Sequence, residues 1–193
     1  MAIKGNGTQV ILGAGKWYLD TWSSGAIALS TLCVESNIIG WTQSGATLEY
    51  KPETYTIEDD IGMVKRTFQT KATATLKTGL LTFDVDALAK VLSSVDTSDI
   101  TDVAATSSAA GSQTMKLSGG RKSLVKYAVA FEYEDPETEH KVRIGMIATN
   151  IAGLSMAFAK DKETVVDVEF QAESNGVDDT IMVIEEVIPA TGT

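Results

Sequence analysis

The residue types that could do chemistry are few and scattered. His140 is the only histidine and Cys33 the only cysteine. A zinc site of the Cys/His kind needs three or four such ligands, so it is excluded. His140 follows the acidic turn Glu134–Glu139 and reads as a surface imidazole among carboxylates, with no nucleophile at a recognised spacing. Cys33 lies in an apolar stretch and reads as a small buried hydrophobe. Gly13-Ala14-Gly15-Lys16 suggests a phosphate loop, but that motif needs a glycine where Val10 stands and a Ser or Thr where Trp17 stands. The segment reads instead as a turn. Gly5-Asn6-Gly7 lacks the third glycine and the following helix of a dinucleotide site. No Gly-x-Ser-x-Gly elbow supports a serine nucleophile. Asp96, Asp99 and Asp102 cluster without the glycine and terminal glutamate of a calcium loop. The expectation is a chain that is not an enzyme, with no cofactor and no bound metal.

Charge says more. The net charge is −10, which disfavours a basic nucleic-acid surface. Residues 1–123 carry 12 acidic and 11 basic groups, and residues 124–193 carry 14 and 5. The excess is therefore local. At 193 residues and 44% apolar content the chain can bury one domain's core, and no apolar run is long enough for a membrane helix. With one cysteine and no apolar leader at Met1–Gly7, synthesis in the cytoplasm is expected.

The elements that must carry these residues are mostly strands. Gln9–Leu12 and Trp17–Leu19 read as short strands. Residues 20–37 have no period. Thr47–Lys51 and Thr54–Glu58 alternate, with Leu48 and Tyr50, then Tyr55 and Ile57, expected on one side. After a turn at Asp59–Gly62, a strand from Met63 to Lys77 is expected to put Phe68, Thr70, Ala72, Ala74 and Leu76 on one face. One helix, about 84–93, has Asp84 as N-cap and Phe83 with Leu88 as a hydrophobic staple. Residues 93–114 read as a loop or excursion. Further strands are expected at about 114–118, 124–134, 141–149, 154–158, 163–174 and 180–187. In 163–174, Val166, Val168, Phe170 and Ala172 share one face, and Asp167, Glu169, Gln171 and Glu173 the other. Many short strands with one flanking helix argue for a mainly β domain, a β-sandwich or a barrel-forming fold, in a single unit over 1–193.

The run Gly13-Ala14-Gly15-Lys16-Trp17-Tyr18-Leu19 is followed by Ile39-Gly40-Trp41-Thr42-Gln43-Ser44-Gly45-Ala46-Thr47-Leu48-Glu49-Tyr50 and then Lys51-Pro52-Glu53. With the alternating strand and the helix bearing Leu88 and Leu92, this order resembles the major tail tube proteins of long-tailed bacteriophages. The resemblance covers the first half of the chain.

That resemblance implies a structural virion protein: a subunit that self-assembles into hexameric rings, stacked into a tail tube through which the DNA genome is ejected. It implies tape-measure, tail-terminator and baseplate or tail-tip proteins as partners, and no membrane. Residues 1–9 would be an N-terminal arm and 13–45 a ring-stacking region. Acidic side chains facing the lumen would repel DNA phosphates. Glu49, Glu58, Asp167, Glu169 and Glu173, each opposite apolar neighbours on its strand, are the candidates for that face. The alternative is a carbohydrate- or receptor-binding, adhesin-like β-sandwich, with Trp17, Trp22 and Trp41 as aromatic platforms.

Overall fold

Alternation of apolar and polar residues becomes a set of antiparallel strands, because one face of each can then be buried. The computed structural model describes residues 15–61, 64–81, 84–95, 97–153, 155–156, 160 and 165–189, without the side chains of Trp41, Gln43, Ser44 and Thr97. The expected N-terminal arm 1–9, the strand at Gln9–Leu12, Phe83 of the staple, Asp96, and Glu163 and Thr164 of the last acidic strand lie outside the described residues.

The fold is mainly β, with ten strands and one helix of seven residues among the described residues. In chain order they are β1 (Lys16–Thr21), a single turn α1 (Leu29–Leu32), β2 (Ile38–Glu58), β3 (Lys65–Leu80), α2 (Val85–Val91), β4 (Ile100–Val103), β5 (Ser112–Met115), β6 (Tyr127–Glu134), β7 (Lys141–Asn150), β8 (Ser155–Met156), β9 (Val166–Glu173) and β10 (Val183–Val187). The main sheet runs β10-β7-β6-β1-β2-β3-β9-β8, and β7 also pairs with β9. That extra pairing, Ile147↔Glu173 to Asn150↔Phe170, closes β7-β6-β1-β2-β3-β9 into a six-stranded antiparallel barrel. Closure removes most sheet edges from the body.

The barrel is filled by one side of each strand. Trp17 and Leu19 of β1, Leu76 of β3, Val129 and Phe131 of β6, Met146 of β7, and Val166, Val168 and Phe170 of β9 form one buried cluster. Trp17 is at its centre, with Phe131 and Phe170 each 5.9 Å away between ring centroids. Leu88 and Val91 of α2 join this cluster. On the outside of β1 and β6, Leu29 and Leu32 cover Tyr18 and Ala130. The non-periodic stretch 20–37 is thus a cover for the barrel wall.

Several local expectations change. Of the stretch 13–45, the described residues 15–45 hold β1, the cover and the start of β2. Residues 47–58 are one unbroken part of β2, since Pro52 stays in the ladder opposite Ala72. Proline is tolerated where a strand has a free edge. Tyr55 and Ile57 therefore face the opposite side from Leu48 and Tyr50. A bulge at Thr70, between the pairs Glu53↔Lys71 and Thr54↔Gln69, also separates Phe68 from Ala72, Ala74 and Leu76. Asp84 occupies the N-cap with extended backbone, but its side chain makes no capping bond. Residues 93–114 contain β4 and most of β5, which pair into a separate hairpin.

Candidate functional site

Three features stand out: the acidic face, a long hairpin, and an ion network on the barrel wall beneath its cover.

The register brings four of the five expected acidic residues to one face. Glu49 pairs with Thr75, and Thr75 with Gln171; Lys77 pairs with Glu169, and Gly79 with Asp167. Alternation along β9 adds Glu173. Their face is the outside of the β2-β3-β9 wall, because Leu76, Val168 and Phe170 point into the core. Glu58 stands apart. Its parity on β2 is opposite to that of Glu49, it lies at the far end of the hairpin, and it pairs with Lys65 at 3.5 Å. The face is also less bare than the sequence implies. Lys77 Nζ lies 2.9 Å from Glu169. Lys126 pairs with Glu173, whose other oxygen accepts from Thr149 Oγ1 at 3.1 Å. Lys51 and Lys71 share the face through the register with Thr73 and Glu53. Glu49 and Asp167 are the nominated carboxylates there without an ion pair.

The sequence predicts strands on either side of a turn here, but not their projection beyond the barrel. Beyond the last β3–β9 pair, Thr75↔Gln171, strands β2 and β3 continue as a two-stranded arm. All residues from Glu49 to Glu58 and from Val64 to Lys71 are exposed. Eight residues of β2 past Tyr50 give a reach of about 25 Å at ~3.3 Å per residue. Polar bonds hold the register: Thr56 and Thr67 hydroxyls lie 3.0 Å apart, and Val64 N–H donates to Asp59 Oδ1 at 2.9 Å across the turn. One side carries the pairs Tyr55↔Phe68 and Ile57↔Arg66. Tyr55, Ile57 and Phe68 are 61%, 52% and 47% exposed, and Ile61 at the turn is 77% exposed. The sequence signal was available as the change of parity from Leu48 and Tyr50 to Tyr55 and Ile57, which marks where the core ends.

On the wall covered by residues 20–37, Glu132 is 4% exposed. It accepts from Arg143 Nε at 2.6 Å and from Tyr18 Oη at 3.0 Å. Arg143 reaches on to Glu185 of β10 at 3.3 Å. Burial pushes the Tyr18 hydroxyl well above its ordinary value, and its bond to Glu132 adds to that. Burial, with the Glu132 charge, pushes the Cys33 thiol up to about 11. His140 is buried rather than superficial, and its Nε2 lies 2.9 Å from Glu186.

Several other candidate residues among the described ones have structural partners. Gly15 enters β1, and a Cβ there would sit 2.5 Å from both the Glu132 carbonyl and the Phe131 ring. It is a close-packing glycine rather than a turn. Asp99 is held by Lys122 at 2.5 Å. Trp17 is fully buried, and Trp22 donates Nε1–H to the Gly25 carbonyl while Lys126 lies over its ring. Among the described residues no group of three or more His, Cys, Asp or Glu could hold a metal, and no helix is long and apolar enough to cross a membrane. No family model matches the chain, and no curated protein matches its sequence.

Proposed function

We propose that this chain is the repeating structural subunit of a bacteriophage tail tube or a related phage-like tube, assembling through head-to-tail contacts into stacked hexameric rings. The observation that carries the reading is the arm of β2 and β3. A lone two-stranded hairpin is marginal in water. This one extends from a closed barrel with Tyr55, Ile57 and Phe68 exposed on one side and strand edges unpaired on both flanks. Such a surface risks aggregation unless a partner covers it. In a self-assembling subunit the partner is always present at the needed stoichiometry. The lumen is assigned to the face bearing Glu49, Asp167, Glu169 and Glu173, with Glu58 left out because it faces the other way. An adhesin-like role is less well supported, since Trp17, one of its three aromatic platforms, is in the core.

Negative-stain microscopy of the purified protein, with and without a tail-tip initiator complex, tests the proposal. Rings or hollow tubes are expected. A chain that remains monomeric at millimolar concentration with the initiator present sinks it.

A further inference from the structure

Of the arm's charges without an ion pair among the described residues, Lys51, Glu53 and Lys71 included, one sits within its apolar patch. Arg66 lies on its apolar side, across from Ile57 and next to the Tyr55↔Phe68 pair. Among the described residues no carboxylate pairs with it. Tyrosine and arginine around an apolar centre are the composition that dominates binding energy at protein interfaces.

A matching surface lies at the arm's base. Past Thr75, β3 parts from β9 and leaves a cleft of about 740 Å³ between its free edge and the segment leading to β10. Tyr50, Ala72, Ala172 and Met182 give it an apolar lining, and Lys71 and Asp179 line it as well. Asp179 is exposed, with a left-handed backbone at φ 58°. Its carboxylate accepts only a neutral hydroxyl, Ser174 Oγ at 3.3 Å, and no cation pairs with it among the described residues.

One chain cannot join these two surfaces. Tyr50, Ala72 and Lys71 line the cleft at the base of the hairpin, whereas Tyr55, Ile57, Phe68 and Arg66 lie further out along the same two strands, beyond the bulge at Thr70. We propose that the arm of one copy docks at the cleft of the next copy, with Arg66 meeting Asp179 and with Tyr55, Ile57 and Phe68 covering the cleft lining. This rests on the reading of the chain as a self-assembling subunit, and it names the two surfaces that meet. The contact joins different patches on the two copies. It is therefore heterologous and propagates into a ring or a filament.

Charge exchange tests it, read by sedimentation velocity and microscopy. Arg66→Glu and Asp179→Lys should each raise the concentration needed for assembly at least tenfold, with melting curves like that of the wild type. Mixed one to one, the two variants should co-assemble, because the arm carboxylate of the first meets the cleft ammonium of the second and the original pair forms in the alternate contacts. The double variant R66E/D179K should assemble alone. If the lysine is poorly tolerated at the left-handed position, Asp179→Asn, which suits that backbone, should give a smaller loss in the same direction. Wild-type tubes with a mixture that stays apart overturn the docking contact and leave the proposed function standing. So does assembly lost in R66E but kept in D179K, the mark of an arm-to-arm contact. A wild type that never assembles overturns both.

Discussion

Arg143 and Glu132 face each other across the β6–β7 ladder, joined by a 2.6 Å hydrogen bond on a wall where Glu132 is almost fully enclosed. A buried ion pair adds little net stability, but breaking one leaves an uncompensated charge. Arg143→Met should therefore destabilise the fold by about 3–5 kcal/mol. Restoring neutrality with Glu132→Gln in the same chain should recover part of that loss. Urea denaturation of the two variants decides it; a double variant no more stable than the single one contradicts the account.

Gly15 makes a second prediction. Its Cα hydrogen faces the Glu132 carbonyl and the Phe131 ring, so a methyl group must displace backbone or a core aromatic. Gly15→Ala should cost roughly 1–3 kcal/mol by overpacking. Gly25 has open space around it but a φ of 92°, so an alanine there is strained by its backbone instead. Thermal melts of the two variants, with near-ultraviolet spectra reporting Trp17, separate packing from backbone strain. Only the first should perturb the aromatic signal.

These two sites show what the sequence could and could not disclose. The alternation of Val166, Val168 and Phe170 against Asp167, Glu169 and Glu173 was legible, because period two is a local property. That Lys77 sits beside Glu169 was not, because it depends on register between β3 and β9, which are far apart in the chain. The same holds for barrel closure through β7 and β9. The bulge at Thr70 has no signature in its residue types, yet it decides which side of the arm Phe68 occupies. Gly15 looked like part of a turn because its neighbours Gly13 and Ala14 are small. The neighbour that matters is Phe131, brought in by the β1–β6 pairing.

Alkaline pH should weaken the fold. Cys33 and Tyr18 are acids whose neutral forms the folded state prefers, the thiol rising from 9.0 to about 11 and the phenol rising above 10.0. The unfolded chain releases these protons first. Between about pH 9 and 11 the folded state holds more protons, so stability falls as pH rises through that window and is unaffected below it. Urea midpoints should be flat from pH 7 to 8.5 and drop by pH 10.5. Replacing both groups, with Cys33→Ala and Tyr18→Phe, should remove most of the slope. Alkylation of Cys33 by iodoacetamide should be slow at pH 8 in the folded protein; rapid labelling there contradicts a raised thiol.

The acidic face gives the last prediction. Glu169 and Glu173 already serve Lys77 and Lys126, so reversing them would disturb the wall as well as the charge. Glu49 and Asp167 are exposed and without ion pairs, so Glu49→Lys with Asp167→Lys should leave stability within about 0.5 kcal/mol. If that face lines a lumen, six copies per ring turn a weakly repelling wall into an attractive one. Tubes of the variant should then hold DNA, and release it as salt rises, because cation–phosphate contacts are salt-dependent. Binding alone is ambiguous, since an outward face would also capture DNA. Nuclease resolves it: DNA inside a tube is protected and DNA on its surface is digested. Variant tubes whose bound DNA is fully digested would place Glu49 and Asp167 on the outside and remove the lumen assignment, while leaving the arm as the assembly surface.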